Sequence, residues 1–242
     1  MTSIKNNDEP SESRVIDSTW LLAFVGVLAI TIPLALFFIS CFSTLVAQQQ
    51  SVSHYYYTSL RDTLMGALFA VSVFLFAYTG YAPKPGEWFS DRQVSLLAGL
   101  GLICVVVFPA VALENHSKTI PSIAMFFPAG SKVLPWIHPI GAIAFMGSLG
   151  YMSLVNFRRA RFAEKYRHQK QPLRQVTENW IYMFCGLVML GCVGLMILQT
   201  LTLPKGEMFF KNATFWFESI GIIFFGLSWL IKTKVLGIVL PG

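Results

Sequence analysis

The sequence contains little charge. Only 12% of its 242 residues are Asp, Glu, Lys or Arg, about half of the roughly 25% that is usual in soluble domains. Hydrophobic residues make up 55% of the chain, and its mean hydropathy is +0.60. This composition excludes an intrinsically disordered chain, which requires low hydrophobicity. It also excludes an ordinary water-soluble globule, because the apolar residues are clustered in long runs.

The apolar runs carry almost no ionisable side chain in their interiors. A mid-membrane Lys holds retinal, a mid-membrane His ligates haem, and charges at depth form proton relays and voltage sensors. The sequence therefore argues against a rhodopsin, a haem carrier and an ion pump. It also lacks the phosphate-binding glycine loop and the HExxH and GxSxG motifs. The four cysteines form no CxxC motif and all lie in apolar runs, which predicts free thiols.

Six apolar runs are long enough to cross a bilayer, since about 20 residues match a hydrocarbon core of roughly 30 Å. The strict alternation of a membrane β-barrel is absent, and helices then satisfy the backbone in lipid. The sequence predicts an all-α fold, a polytopic six-helix transmembrane bundle formed by a single domain over residues 20–234. Residues 1–19 are predicted to be a disordered cytoplasmic leader and residues 235–242 a cytoplasmic tail. The predicted spans are about 20–47, 60–81, 94–113, 135–156, 180–201 and 214–231.

Small residues recur within these runs, among them Gly66, Gly101, Gly150, Gly186 and Gly191. Such residues allow neighbouring membrane helices to approach closely. We therefore predict close helix crossings at these positions.

The basic residues are distributed unequally between the two predicted sides. Thirteen of the 18 Lys and Arg lie on the side of the N-terminus, and seven of these lie between Arg158 and Arg174. The positive-inside rule then predicts a multi-pass protein of the cell inner membrane with both termini in the cytoplasm. The basic segment from Phe157 to Glu178 is predicted to contact anionic lipid headgroups of the bilayer, with no nucleic-acid partner.

Polar side chains gather at the predicted outer face. Glu218 lies about one turn inside the last span, where a carboxylate is expensive without a partner, and Arg61 is the expected partner. We predict an outward-facing ligand-binding site formed by Arg61, Asp62, Glu218 and Tyr56. A structural alternative is that Asp62 forms a capping box with Ser59 at the start of the second helix.

Three of the four histidines, His54, His116 and His138, lie at the same predicted face. Neutral imidazoles bind zinc, and a zinc ion with an open coordination position activates water. These histidines are the candidate metal ligands, with zinc as the possible cofactor. No two of them have the spacing of an HExxH motif.

Two segments, from Ser51 to Tyr81 and from Phe217 to Lys234, resemble a family of uncharacterised bacterial multi-pass inner-membrane proteins. The resemblance implies a six-helix membrane protein and carries no assigned activity. A more distant resemblance is to the alkaline-ceramidase and adiponectin-receptor type of membrane hydrolase, which uses a zinc ion bound by three histidines. The HxxxH motif of those hydrolases is absent from this sequence. The positions that match the first family are Tyr55–Tyr57, Arg61, Asp62, Gly66, Tyr78, Gly80, Tyr81, Glu218, Gly226, Ser228 and Trp229.

The sequence thus predicts an integral membrane protein without catalytic activity that binds a small amphiphile or a partner subunit at its outward-facing polar site. A metal-dependent membrane lipid hydrolase is the first alternative. A small-molecule transporter is the second, and it would need a polar path that continues to the cytoplasmic side.

Overall fold

The computed structural model describes residues 18–80, 88–113, 126–127, 131–159, 173–204 and 206–233. Within these ranges the fold is all-helical, as predicted. Most of the predicted leader and the whole predicted tail lie outside the described residues, as does His116. The helices are α1 (Ser18–Phe42), α2 (Arg61–Ala77), α3 (Asp91–Val107), α4 (Leu134–Tyr151), α5 (Leu173–Thr202) and α6 (Ala213–Lys232).

Three short elements add to these helices within the described residues. A 3-10 helix, Ser53–Tyr57, lies between α1 and α2. A π-helical turn, Met152–Asn156, prolongs α4 and is followed by one further α-helical turn, Phe157–Arg159. Single π-helical turns inside α-helices are frequent at functional sites.

Within the described ranges, four helices are long and apolar enough to cross a membrane. They contain the segments Trp20–Phe42, Leu134–Asn156, Val176–Thr202 and Ala213–Lys232. Helices α2 and α3 have 17 residues each, or about 26 Å at a rise of about 1.5 Å per residue, which is less than the roughly 30 Å of a typical hydrocarbon core. Six long helices are therefore found in the described ranges, but only four of them meet the length and composition of a membrane span.

The helix ends differ from the predicted spans for local reasons. Helix α3 stops at Val107, before the predicted residue 113, because Pro109 disfavours the helical conformation of the residue before it. It begins at Asp91, before the predicted residue 94, because the side chains of Ser90 and Gln93 form a reciprocal capping box. No side chain caps α2, so the predicted capping box of Ser59 with Asp62 is wrong.

The helices pack in a ring and alternate in direction. Helix α1 packs on α6, α6 on α5, α5 on α4, α4 on α3 and α3 on α2, and a smaller contact joins α2 to α1. We call the end of the bundle that carries the N-termini of α2, α4 and α6 the upper end, and the opposite end the lower end. The 3-10 helix lies at the upper end, where it contacts α2.

An aromatic cluster around Trp229 of α6 joins three helices near the lower end. The centre of its ring lies 5.9 Å from the ring centre of Phe74, which is in α2, and 5.2 Å from that of Tyr78, which follows α2. It also lies 5.5 Å from Phe157, beyond the π-helical turn, and 5.3 Å from Phe225 in its own helix. Because Trp229 is only 1% exposed, this cluster anchors the lower half of the core.

Close helix crossings at glycines bring backbone against backbone. A Cβ atom added to Gly101 of α3 would lie 2.6 Å from the carbonyl oxygen of Gly141 in α4. A Cβ atom at Gly186 of α5 would lie 2.9 Å from the carbonyl oxygen of Gly150. The predicted close approach is therefore confirmed at Gly101, Gly150 and Gly186. It is wrong for Gly191, where an added Cβ atom would meet nothing within 4 Å, and equally for Gly66.

Replacing Gly101 by Ala should destabilise the bundle, because the new methyl group would meet backbone atoms that cannot rotate away. We expect a loss of about 1–3 kcal/mol in the free energy of unfolding. The matched variant Gly191→Ala should be neutral or stabilising by up to about 1 kcal/mol, through its higher helix propensity. Thermal unfolding of both variants in the same detergent measures this difference. Equal stability of the two variants would contradict the crossing geometry.

Candidate functional site

Residues 50–57, which we call the seal segment, lie at the upper end of the bundle and bond to the helices around it. Its backbone turns as a 3-10 helix, in which Tyr55 N–H donates to the carbonyl of Val52 and Thr58 N–H to the carbonyl of Tyr55. Ser51, Val52, Tyr55 and Tyr56 are buried. Buried polar groups must be hydrogen-bonded, and those of the seal segment find their partners on helices and segments around it.

Glu218 of α6 holds the start of the seal segment. Its carboxylate oxygen Oε2 accepts a hydrogen bond of 2.6 Å from the backbone N–H of Val52, and the N–H of Ser53 faces the same carboxylate. One turn earlier in α6, the N–H of Phe215 donates to the carbonyl of Gln50 at 2.8 Å. A carboxylate at the N-terminus of a helix is favoured by the exposed N–H groups there. Glu218 therefore caps the 3-10 helix from a distant part of the chain.

His138 of α4 bonds the seal segment from a second side. Its Nδ1 lies 2.8 Å from the carbonyl oxygen of Phe108, and its Nε2 lies 3.0 Å from Oγ of Ser53. A carbonyl oxygen only accepts, so Nδ1 carries the proton of the neutral ring, and Nε2 accepts from the Ser53 hydroxyl. His138 thus joins the start of α4 to the end of α3 and to the seal segment.

His54 forms a similar pair within the seal segment. Its Nε2 lies 3.2 Å from the carbonyl oxygen of Val111, and its Nδ1 lies 3.0 Å from Oγ of Ser51. The same reasoning places the proton of the neutral ring on Nε2. Both histidines therefore use both ring nitrogens for hydrogen bonds inside the protein.

Three successive tyrosines fix the rest of the seal segment. The hydroxyl of Tyr55 lies 2.5 Å from Oγ of Ser40 in α1. The hydroxyl of Tyr57 donates to the carbonyl of Ala110 at 2.6 Å. Burial, and then the neighbouring Tyr56, raise the pKa of Tyr57 above its ordinary value of 10.0.

Arg61 is held by Tyr56. Its guanidinium donates to the Tyr56 hydroxyl at 3.0 Å and lies 4.5 Å from the centre of the ring, in a cation–π contact. The carboxylate of Glu218 instead takes its donors from the backbone of the seal segment. The expected pairing of Arg61 with Glu218 is therefore wrong, and Asp62 is exposed on the first turn of α2.

The structure thus gathers only part of the predicted site. It brings Tyr56, Arg61, Glu218, His54 and His138 to one end of the bundle and engages them with the protein itself. Ligand binding by Arg61, Asp62, Glu218 and Tyr56 stays a prediction. Among the described residues, no group of three or more His, Cys, Asp and Glu side chains is arranged to hold a metal ion, and the zinc prediction also depends on His116, which lies outside them.

A second polar cluster, at the lower end, was not predicted. A cavity of about 200 Å³ lies between the end of α4 and the start of α5, and we call it the lower pocket. Nε of Arg158 and Oδ1 of Asn179 are buried there without a hydrogen-bond partner in the described structure. The Arg158 guanidinium donates one hydrogen bond, of 3.4 Å, to the carbonyl of Leu154 in its own helix. The lining residues are Arg158, Val176, Asn179, Trp180 and Met183.

Buried polar residues hold the end of α4 against the helices around it. The Asn156 amide, at the end of the π-helical turn, donates to the Asp91 carboxylate at 2.8 Å. Ser153, within the turn, donates to the carbonyl of Tyr182 at 2.9 Å and lies 2.7 Å from the hydroxyl of Ser228. These bonds fix the orientation of the last turns of α4, from which Arg158 projects.

The sequence contains a signal for the lower pocket, but the same residues also have another interpretation. Asn156 and Arg158 end one apolar run, and Asn179 precedes the next, so polar groups flank the sequence between the two runs. The sequence interpretation assigned Arg158 to a basic segment that sets topology. Arg158 lies opposite Asn179 because of the π-helical turn, and no feature of the sequence predicts that turn.

No protein-family model, curated protein or solved structure matches this chain.

Replacing Glu218 by Ala should weaken the upper end, because the N–H of Val52 would lose its acceptor while it remains buried. We expect a loss of about 1–3 kcal/mol in the free energy of unfolding, and a smaller loss for Glu218→Gln, which keeps a carbonyl oxygen. Asp62→Asn, at the exposed carboxylate, is the control and should change stability by no more than about 0.5 kcal/mol. Chemical or thermal unfolding measures all three variants, and an equal effect of Glu218→Ala and Asp62→Asn would refute the capping role.

The phenol of Tyr57 should ionise at a higher pH than that of a free tyrosine. Because burial raises its pKa in the folded state, the seal segment is stable below the ordinary pKa and loses stability as the pH rises through the raised value. Ultraviolet titration of the wild type minus Tyr57→Phe should show the difference developing above pH 10.0. A difference that develops at or below that value would contradict the burial of this hydroxyl.

Proposed function

We propose that the chain is a six-span integral membrane protein of the cell inner membrane, with both termini in the cytoplasm, that binds the headgroup of an anionic amphiphile in the lower pocket. The observation that carries this proposal is the cationic side chain of Arg158. It lines a cavity at the lower end of the bundle and has no carboxylate partner in the part of the chain that the structure describes.

Exposed tryptophans at both ends support a membrane embedding. Trp20, Trp88 and Trp180 lie at the lower end and are 70%, 85% and 63% exposed, and Trp136 lies at the upper end and is 60% exposed. Tryptophan is enriched at the two interfaces of a membrane because its ring is apolar and its N–H is polar. Exposed tryptophans at opposite ends fit a bundle whose six helices all cross the bilayer.

The two shorter helices are compatible with six crossings. Helices α2 and α3 pack together on one side of the ring, and 17 residues lies at the lower limit of the roughly 17–25 residues that span a membrane. A bilayer thins locally beside short spans, at a modest free-energy cost. The excess of Lys and Arg on the lower side then orients this end toward the cytoplasm.

The lower pocket has the chemistry of a phosphate site at the membrane surface. The Arg158 guanidinium offers charged N–H donors, and such groups bind phosphate oxygens strongly. Trp180 and Val176 are exposed beside it and provide an apolar wall at the level of the headgroups. Basic pockets between membrane helices on the cytoplasmic side are typical binding sites for anionic lipid headgroups.

The size of the cavity limits what it holds. Its volume of 200 Å³ is below the roughly 300–1,000 Å³ of pockets that enclose a small molecule. It therefore accommodates a phosphate and its nearest atoms, while the acyl chains lie along the outside of α4 and α5 in the bilayer.

Replacing Arg158 by Ala should weaken the binding of an anionic phospholipid about tenfold, which corresponds to the loss of one charged hydrogen-bonding group. Native mass spectrometry of the purified protein, titrated with phosphatidylglycerol and with phosphatidylcholine, measures the retained lipid. The control is Arg61→Ala, which removes a guanidinium from the upper end. Equal retention by Arg158→Ala and the wild type would refute the lower pocket, and a loss in Arg61→Ala alone would favour the outward-facing site.

A further inference from the structure

We propose that Ser53 is a nucleophile for acyl transfer and that His138 is its general base, acting on the ester of an amphiphile at the upper end of the bundle. The proposal rests on the geometry of this pair and on two backbone N–H groups beside it. It is independent of the lower pocket, since neither residue lies at that end.

The pair has the arrangement of an activated serine. Oγ of Ser53 lies 3.0 Å from Nε2 of His138, within the roughly 2.6–3.2 Å reach required of a nucleophile and its base. Nδ1 of the imidazole donates to the carbonyl of Phe108 at 2.8 Å. That bond leaves Nε2 free of a proton, so the Ser53 hydroxyl points its proton at the base. The carbonyl of Phe108 thus orients the ring as a third group.

Two backbone donors lie beside the nucleophile. The N–H of Val52 and the N–H of Ser53 itself both face one carboxylate, that of Glu218. A pair of backbone N–H groups that includes that of the nucleophile is a typical stabiliser of the oxyanion in acyl transfer. In this structure the pair holds Glu218, so a substrate carbonyl oxygen reaches these donors when the carboxylate moves away.

The reaction balances with water as the only co-reactant. The Ser53 proton passes to Nε2 of His138 as Oγ forms a bond to the ester carbonyl carbon. The bond from that carbon to the alcohol oxygen then breaks, and the alcohol leaves with the proton from Nε2. Water, deprotonated in turn by Nε2, attacks the acyl-serine, releases the carboxylic acid and restores the Ser53 hydroxyl.

The chain offers a matched control in a second serine–histidine pair. Oγ of Ser51 lies 3.0 Å from Nδ1 of His54, at the same distance as in the proposed dyad. Ser51 is only 4% exposed, and its Oγ also accepts a hydrogen bond from the backbone N–H of His54. Ser53 is half-buried and so more exposed than Ser51, and a reagent reaches it first.

A fluorophosphonate tests the proposal, because its phosphorus is attacked by an activated serine with loss of fluoride. The purified full chain is incubated with the reagent, and the modified residue is identified by mass spectrometry of its peptides. We expect one adduct, on Ser53, in the wild type and in Ser51→Ala. His138→Gln, which retains hydrogen-bonding capacity but is no base, should slow the labelling about 100-fold. Glu218→Ala should accelerate it by freeing the two donors.

Each outcome decides the proposal. An adduct on Ser53 that depends on His138 supports it, including an adduct found only in Glu218→Ala, which would show that the carboxylate occupies the donor pair. Absence of an adduct on Ser53 in both the wild type and Glu218→Ala overturns it. Labelling of Ser53 at an unchanged rate in folded His138→Gln also overturns it, since the histidine would then have only a structural role.

Discussion

The hydrogen bonding of one short segment determines how the upper half of this bundle is held together. A polar group buried between helices has no water to bond, so it must find a partner in the protein. The polar groups of residues 50–57 find such partners on several helices. Their backbone and side chains bond α1 through Tyr55, α4 through Ser53, α6 through Glu218, and the segment after α3 through His54 and Tyr57. The arrangement of these helices at the upper end therefore depends on one 3-10 helix.

Hydropathy predicted the helices because it reflects a property of whole runs of residues. The same principle explains why α6 was located within one residue at each end, since polar or left-handed residues such as Asn212 flank it. The C-terminal ends of α2 and α3 were placed too late because apolar residues continue past the helix, as at Tyr78 and Phe108. Hydropathy counts such residues, whereas the backbone responds to Pro109 and to Gly80, which has a positive φ.

The polar site was predicted only as a location. Placing His54, His138 and Glu218 at one end followed from counting membrane crossings, and the structure brings them to that end. Their partners are mostly backbone atoms, such as the N–H of Val52 and the carbonyl of Phe108. Every residue carries such groups, so a sequence gives no sign of which ones a side chain will meet. Pairing of opposite charges, the only rule that sequence offers, therefore gave Arg61 the wrong partner.

The π-helical turn at the end of α4 determines what the deletion of a single residue there would do to the protein. A π-helical turn contains one residue more than an α-helical path between the same two points, and it rotates everything beyond it by about 100°. Removing one residue from Met152–Asn156 would restore a regular helix and carry the Arg158 side chain around to a different face, while the apolar pattern of the run would be almost unaltered. Natural relatives that differ by a single deletion there would thus keep the membrane helix and lose the cavity, and their alignment would place a gap where the two diverge.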